Sequence, residues 1–333
     1  MRQPVVRRFV SALGAALLAV SLAGCATVAG VRAAPTGTVG GAVQPAQAQS
    51  IAAQVIGASE KAAAAPGPEG DALRASAYTG DALTAATADA KLALALALSQ
   101  EAKDAGALTT AAPVVHAVSR GLSYPRSMIV QTTRATSGLP VLNLLTTPDV
   151  RTPYRITAST QMLPSASVKA FDPIAQGSPD LGDGSGLVTP PQELARAYAA
   201  SLAFPAPAAA DVTFASDAFA DGLRTSATSQ AEGLPDVATL TQQHEPKAIT
   251  GGLRVRGNAG ALVFAVLDRT DTLVNKSGAT LTPSAKFTAL TGLSTLTAEA
   301  HLQTLEFVAL FVPDAGKAVV VGAEEHLYAA SGT

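Results

Sequence analysis

The chain has 333 residues, 48% of them hydrophobic and 14% charged, with a formal net charge of −2. That length exceeds what a single core of average size supports and favours two domains. Aromatics make up 4%, Trp is absent, and no basic run interleaves with aromatic side chains, which excludes a nucleic-acid surface and a stacking platform for carbohydrate.

Arg2, Arg7 and Arg8 open the chain, and an uncharged, mostly apolar run follows from Phe9 to Ala23. Fifteen residues in a helix rise about 22 Å, short of the ~30 Å hydrocarbon core, which predicts a signal h-region rather than a membrane span. The run ends in Leu22-Ala23-Gly24-Cys25. This resembles the lipobox of bacterial lipoproteins. The resemblance implies a signal peptide over residues 1–24, cleavage before Cys25, and a diacylglycerol on its thiol. The palmitate-bearing product would sit on the outer face of the cell membrane, as a component of the envelope. Two or more acyl chains, at ~0.8 kcal/mol per buried methylene, make a lasting anchor. Cys25 is the sole cysteine, so the exported body is expected to fold without disulfides.

Residues 25–49 are expected to form the lipidated N-terminus and a flexible tether, with Pro35 and Pro45 flanking Gly37, Gly40 and Gly41. A helical pattern begins at Ser50, carries Ile51, Val55 and Ile56 on one face, and ends at Pro66-Gly67-Pro68. A second helix is expected from Thr79. After Pro113 the texture changes to short runs rich in Val, Ile, Leu and Thr, as in "SMIVQTT" and "LPVLNLLTT", separated by turn residues. Residues 175–189 read as a linker. A helix then opens at "TPPQELARAYAASL", where Thr189 and Gln192 match a capping box and Leu194, Tyr198 and Leu202 make a core-facing stripe. Another helical stretch spans about 216–231. From there the chain reads as strands, with "AKFTALTG" among them and a phase change expected near Leu305.

Two halves of helices followed by a strand meander define the expected fold class. It is α+β, with cone-like domains at 50–174 and 190–333, each a strongly bent antiparallel sheet with helices packed on one face. A local echo supports duplication: Tyr78-Thr79-Gly80-Asp81-Ala82-Leu83 against Phe214-Ala215-Ser216-Asp217-Ala218-Phe219. The order of elements and the "AYTGDALTAA" segment resemble the nuclear-transport-factor-2-like, or SnoaL-like, cone fold. The chain is also similar to an uncharacterised family of actinobacterial lipoproteins, through "LAGC", "YTGDAL", "LPVLNLLTTPDVRTPYRI" and "VVVGAEEHLYAA". This likeness implies location and architecture, a domain of unknown function, and no established activity.

Chemistry is thinly signposted. The histidines are His116, His244, His301 and His326, and none makes an H-E-x-x-H metal motif. No metal, cofactor or catalytic residue is expected. His244, His301 and His326 are the pocket candidates, since a histidine beside a carboxylate titrates near working pH. Glu324 and His326 are expected on a solvated strand face, opposite the apolar one. "DLGDGSG" (180–186) fits neither a calcium loop nor a nucleophile elbow. The leading reading is a non-enzymatic, membrane-tethered protein that binds a small apolar ligand or an envelope protein. The competing readings are a SnoaL-like acid–base enzyme acting on a small apolar molecule, and a structural or assembly protein.

Overall fold

A computed structural model describes residues 40–65, 67–97, 108, 112–135, 137–208, 213–234 and 236–333. Residues 40–333 form one compact unit. Its described elements are six α-helices and two four-stranded sheets, each an antiparallel meander in sequence order.

Helix α1 (Pro45–Ala64) starts with Pro at its first turn and buries Ala48, Ala52, Val55, Ser59 and Ala62 along one stripe. It therefore begins five residues before the expected start, inside the expected tether. Gly41 is also bound, since its N–H donates to Ala175 O. Helix α2 (Pro68–Ala77) follows where a break was expected. Pro68 stands at its N-terminal turn, and Glu69 and Asp71 complement the dipole there. The Arg74 guanidinium ties the two helices together by donating to Ala65 O at 3.3 Å, Gly67 O at 3.2 Å and Asp71 Oδ1 at 2.8 Å. It thereby serves the Ala65 carbonyl, which the end of α1 leaves without an intrahelical donor. Helix α3 (Gly80–Ala95) starts at the expected place.

The first sheet comprises β1 (Val114–Val118), β2 (Arg126–Thr133), β3 (Pro140–Thr147) and β4 (Arg155–Gln161). After it, helix α4 (Pro191–Leu202) buries Leu194, Tyr198 and Leu202, the expected stripe. Its cap differs from the expected box. Pro190 is the N-cap and its ring carries no acceptor, so no side-chain cap bond forms. Helix α5 (Ala218–Glu232) is capped by Asp217, whose side chain accepts from Ala220 N at 2.8 Å.

The second sheet has much longer strands: β5 (Ala238–Arg254), β6 (Gly260–Asn275), β7 (Glu299–Pro313) and β8 (Val319–Gly332). Strand β5 runs through Pro246, which an edge strand tolerates, with register shifts at Pro246/Ala248 and Ile249/Gly251. No bulge lies in β7 near Leu305, where that strand pairs with β6 without a register shift; the shifts lie between β7 and β8, at Gln303/Thr304 and Ala309/Leu310, and β8 carries the extra residue at each. "AKFTALTG" is a helix rather than a strand, α6 (Ala285–Thr291). Ser284 caps its start by accepting from Phe287 N, and Gly292 closes it at φ 77°. Those two end signals outweigh the β-propensity of Phe and Thr.

Packing joins the halves. One face of the second sheet (Leu262, Phe264, Val266, Leu305, Phe307 and Ala309) shares a core with Ile129, Leu142 and Leu144 of the first sheet and with α1 and α3. Its other face (Val263, Ala265, Val308 and Leu310) packs against Leu194, Tyr198 and Leu202 of α4 and Leu223 of α5. Gly322 lets β8 approach β4, because a Cβ there would meet Thr160 Oγ1 at 2.2 Å. The stretch expected as a linker is stitched to both halves. Ser178 N donates to Val118 O, Arg254 N to Pro179 O, and the Arg254 side chain to Ser185 O at 2.7 Å. Residues 175–189 thus mark a change of sheet, and the two sheets share a core across them.

The echoed stretches occupy comparable places. Tyr78 makes an isolated parallel bridge to Ile156 of β4, and Phe214 makes one to Ala318 at the start of β8. Each aromatic residue thus docks on the last strand of its meander just before a helix.

Candidate functional site

A cavity of about 430 Å³ lies among α1, α2, α3, β4, β7 and β8. Alanine is the commonest residue of its wall. Ala82, Ala86, Ala90 and Ala93 of α3 recur at helical spacing, and Ala62, Ala63 and Ala64 of the last turn of α1 face them. Leu108 and Phe307 add larger apolar surface. The walls stand apart because neighbouring backbones and sheets are fixed by the shared core, while the side chains that project between them end at a methyl.

Polar groups gather where β8 meets α3. His326 Nδ1 and Asp89 Oδ2 are 2.7 Å apart, joining residues 237 positions distant in sequence. His326 Nε2 faces Glu324 Oε1 at 3.9 Å, and Arg134 forms an ion pair with that same oxygen. The His326 ring meets Phe307 edge-on with centroids 5.6 Å apart, which fixes its orientation. The half-buried Tyr78 lines the cavity as well. Burial works to lower the His326 pKa, but the Asp89 hydrogen bond and the Asp89 and Glu324 charges outweigh it, and the net shift is upward. Burial likewise pushes the Tyr78 hydroxyl up, with Ser59 and Arg134 pulling the other way.

Two carboxylate oxygens in the wall are left without partners. Glu324 Oε2 and Glu60 Oε1 are both buried and accept no hydrogen bond. Burial raises the Glu60 pKa.

The sequence-predicted residues are dispersed. His326 lines the cavity together with Glu324, and neither lies on a solvated face; their side chains are 16% and 20% exposed. The covering element is α3, which packs on β4 and β8. His244 lies on the opposite face of the second sheet, fully buried, with Nδ1 2.8 Å from Glu306 Oε2. Glu306 also accepts from Arg269 Nη1 at 3.1 Å, and Arg269 reaches Asp271 and Glu325 as well. That group is an ion network buried at His244 and Glu306 and open to solvent at Glu325, and none of its members lines the cavity. His301 sits near the surface between Thr272 Oγ1 at 3.1 Å and Glu299 at 3.5 Å. His116 pairs with Gln131 at 2.9 Å. Asp89, Arg134 and Glu60 carried no sequence signal, and Tyr78 stood out only in the local echo and the fold resemblance, not as a site residue.

Cys25 and its neighbours Leu22, Ala23 and Gly24 lie outside the described residues. Among the described residues, no helix is long and apolar enough to cross a membrane. No group of three or more His, Cys, Asp or Glu among them is placed to hold a metal ion. Comparison with known proteins returned no matching family model, no curated relative and no solved structure.

Proposed function

We propose that this protein is a lipid-anchored, extracytoplasmic binding protein that holds a small, largely aliphatic molecule in the cavity between α1, α3 and the two sheets. The observation that carries the reading is the cavity itself. Its volume lies within the range of ordinary ligand sites, its wall is mostly apolar, and a few polar groups converge at one side. The anchor part rests on the "LAGC" motif after a basic start and an apolar run. The bulges along β8 fit a bent, SnoaL-like second sheet, in which such a cavity would be a natural feature.

Acid–base catalysis at the same cavity is the second reading, favoured by the short His326–Asp89 contact. A histidine with a raised pKa, flanked by two carboxylates, would serve there as a general acid rather than a base. Binding is preferred because the rest of the wall is mainly apolar.

Native mass spectrometry of the full chain purified from its own cells tests the reading. A retained small molecule that is lost on blocking the cavity with Ala90→Leu is expected. Each chain appearing at its own sequence-derived mass, with nothing bound to either under any release condition, would overturn it. Palmitate labelling should vanish in Cys25→Ser, and its persistence would remove the anchor.

A further inference from the structure

We infer that the molecule held in this cavity is a primary aliphatic amine, bound as its ammonium ion; the inference rests on the binding reading above. The cations in the wall are already engaged. The Arg74 side chain serves three backbone carbonyls and Asp71, Arg134 pairs with Glu324, and His326 pairs with Asp89. The carboxylates are not all satisfied. Glu60 has no hydrogen bond or ion pair among the described residues, and its Oε1 is buried, as is the unpartnered Oε2 of Glu324. A buried acceptor without a donor is costly.

The occupant that relieves this must bring donors and positive charge. A carboxylate or phosphate head brings no positive charge, and would add its own charge to that of the unpaired Glu60. A neutral alcohol brings one donor and no charge. An ammonium group brings three donors and one positive charge. A quaternary ammonium is disfavoured, because it has no N–H to donate and is recognised by aromatic cages, whereas this wall offers Phe307 and Tyr78 amid alanines. The alanine faces of α1 and α3 suit an unbranched chain. At roughly 30 Å³ per water-sized volume the space holds on the order of fourteen non-hydrogen atoms.

Calorimetric titration of the full chain at neutral pH with octylammonium chloride, 1-octanol and sodium octanoate tests this. Octylammonium should bind at least about tenfold more tightly than either of the others. Glu60→Gln should weaken octylammonium by about tenfold or more and leave octanol within about twofold. Glu324→Gln, which puts an NH₂ donor where Oε2 accepts, should weaken octylammonium too and serves if Glu60→Gln does not fold. Octanol or octanoate binding as tightly as octylammonium, or Glu60→Gln and Glu324→Gln both binding it unchanged, would overturn the amine assignment while leaving the cavity as a binding site. Failure of all three probes to bind, or binding of all three unchanged by Ala90→Leu, would overturn the binding reading itself.

Discussion

Replacing Glu306 with Gln tests the buried network on the far face of the second sheet, where geometry fixes what is lost. The Glu306 and His244 side chains are fully buried, and Arg269 is 11% exposed. One carboxylate oxygen accepts from Arg269 at 3.1 Å and the other meets His244 Nδ1 at 2.8 Å. Arginine has only donors, so the amide oxygen of a Gln must turn toward it and its NH₂ toward His244. His244 Nδ1 must then accept, which moves its proton to Nε2, a buried atom with no partner. The variant therefore loses two charge-assisted bonds, and the orphan atom Nε2 changes from acceptor to donor without finding a partner. Breaking a buried ion pair in this way costs about 3–5 kcal/mol. A domain's whole stability is about 5–15 kcal/mol, so the change is large. Urea unfolding at neutral pH should show the midpoint falling at unchanged slope. The double variant Glu306→Leu with His244→Phe should recover most of the loss, since Arg269 keeps Asp271 and Glu325 and apolar replacements of buried ion pairs are often neutral. A loss below about 1 kcal/mol in Glu306→Gln would refute the reasoning, because it would mean that water reaches these groups.

Three further outcomes follow from other parts of the fold. Gly322→Ala should destabilise by about 1–3 kcal/mol, since its Cβ would meet Thr160 Oγ1 at 2.2 Å; adding Thr160→Ala should return part of that in a double-mutant cycle. Asp217→Ala should cost about 2–3 kcal/mol by chemical denaturation, because it removes the α5 cap and also the acceptor of the buried Tyr198 hydroxyl at 3.2 Å. The His326 pKa is raised in the fold, so the protonated ring stabilises the folded chain. That contribution is complete below the ordinary histidine value and is lost as pH rises through the folded one. The groups facing the ring are Asp89 from α3, Glu324 beside it on β8, and Arg134 after β2. Urea midpoints measured from about pH 6 to about pH 8 should fall, and the fall should shrink in His326→Gln. A midpoint that rises over that range would refute it.

Strands were legible in the sequence because their side-chain alternation is a local property, and β6, β7 and β8 lie where the apolar runs predict them. Helices α2 and α6 were not. In α2 the same Pro-Gly-Pro that ends α1 also starts the next helix, since Pro suits a first turn. In α6 the decisive signals were single residues, Ser284 and Gly292, at the ends of a segment with β-type composition. The Thr189 box failed by one position, because Pro190 supplied the N-cap backbone and Pro191 the first turn. The expected linker was read from its glycines, yet what pins it is Arg254, some seventy residues on, reaching back to Leu181 and Ser185.

The site was less legible than the fold, and the reason is the alanine content. In sequence, alanine favours helix everywhere and so marks no face. In the structure it has two uses on the same helix. Ala88 of α3 is buried away from the cavity and lets the helix seat closely, while Ala86, Ala90 and Ala93 are partly exposed and line the cavity. A leucine suits neither place, for opposite reasons: it would push the helix off its support at Ala88 and fill the space at Ala90. Composition cannot separate the two sets, because the difference is the distance to the wall opposite. That distance is set by Asp89 reaching His326 and by β8 packing on β4, contacts between segments remote in sequence. The charged residues follow the same logic. Glu324 and His326 alternate correctly for one strand face, and whether that face meets water or a cavity depends on where α3 lies. Glu60 looks like an ordinary surface acid near a helix end until the alanines around it bury one of its oxygens.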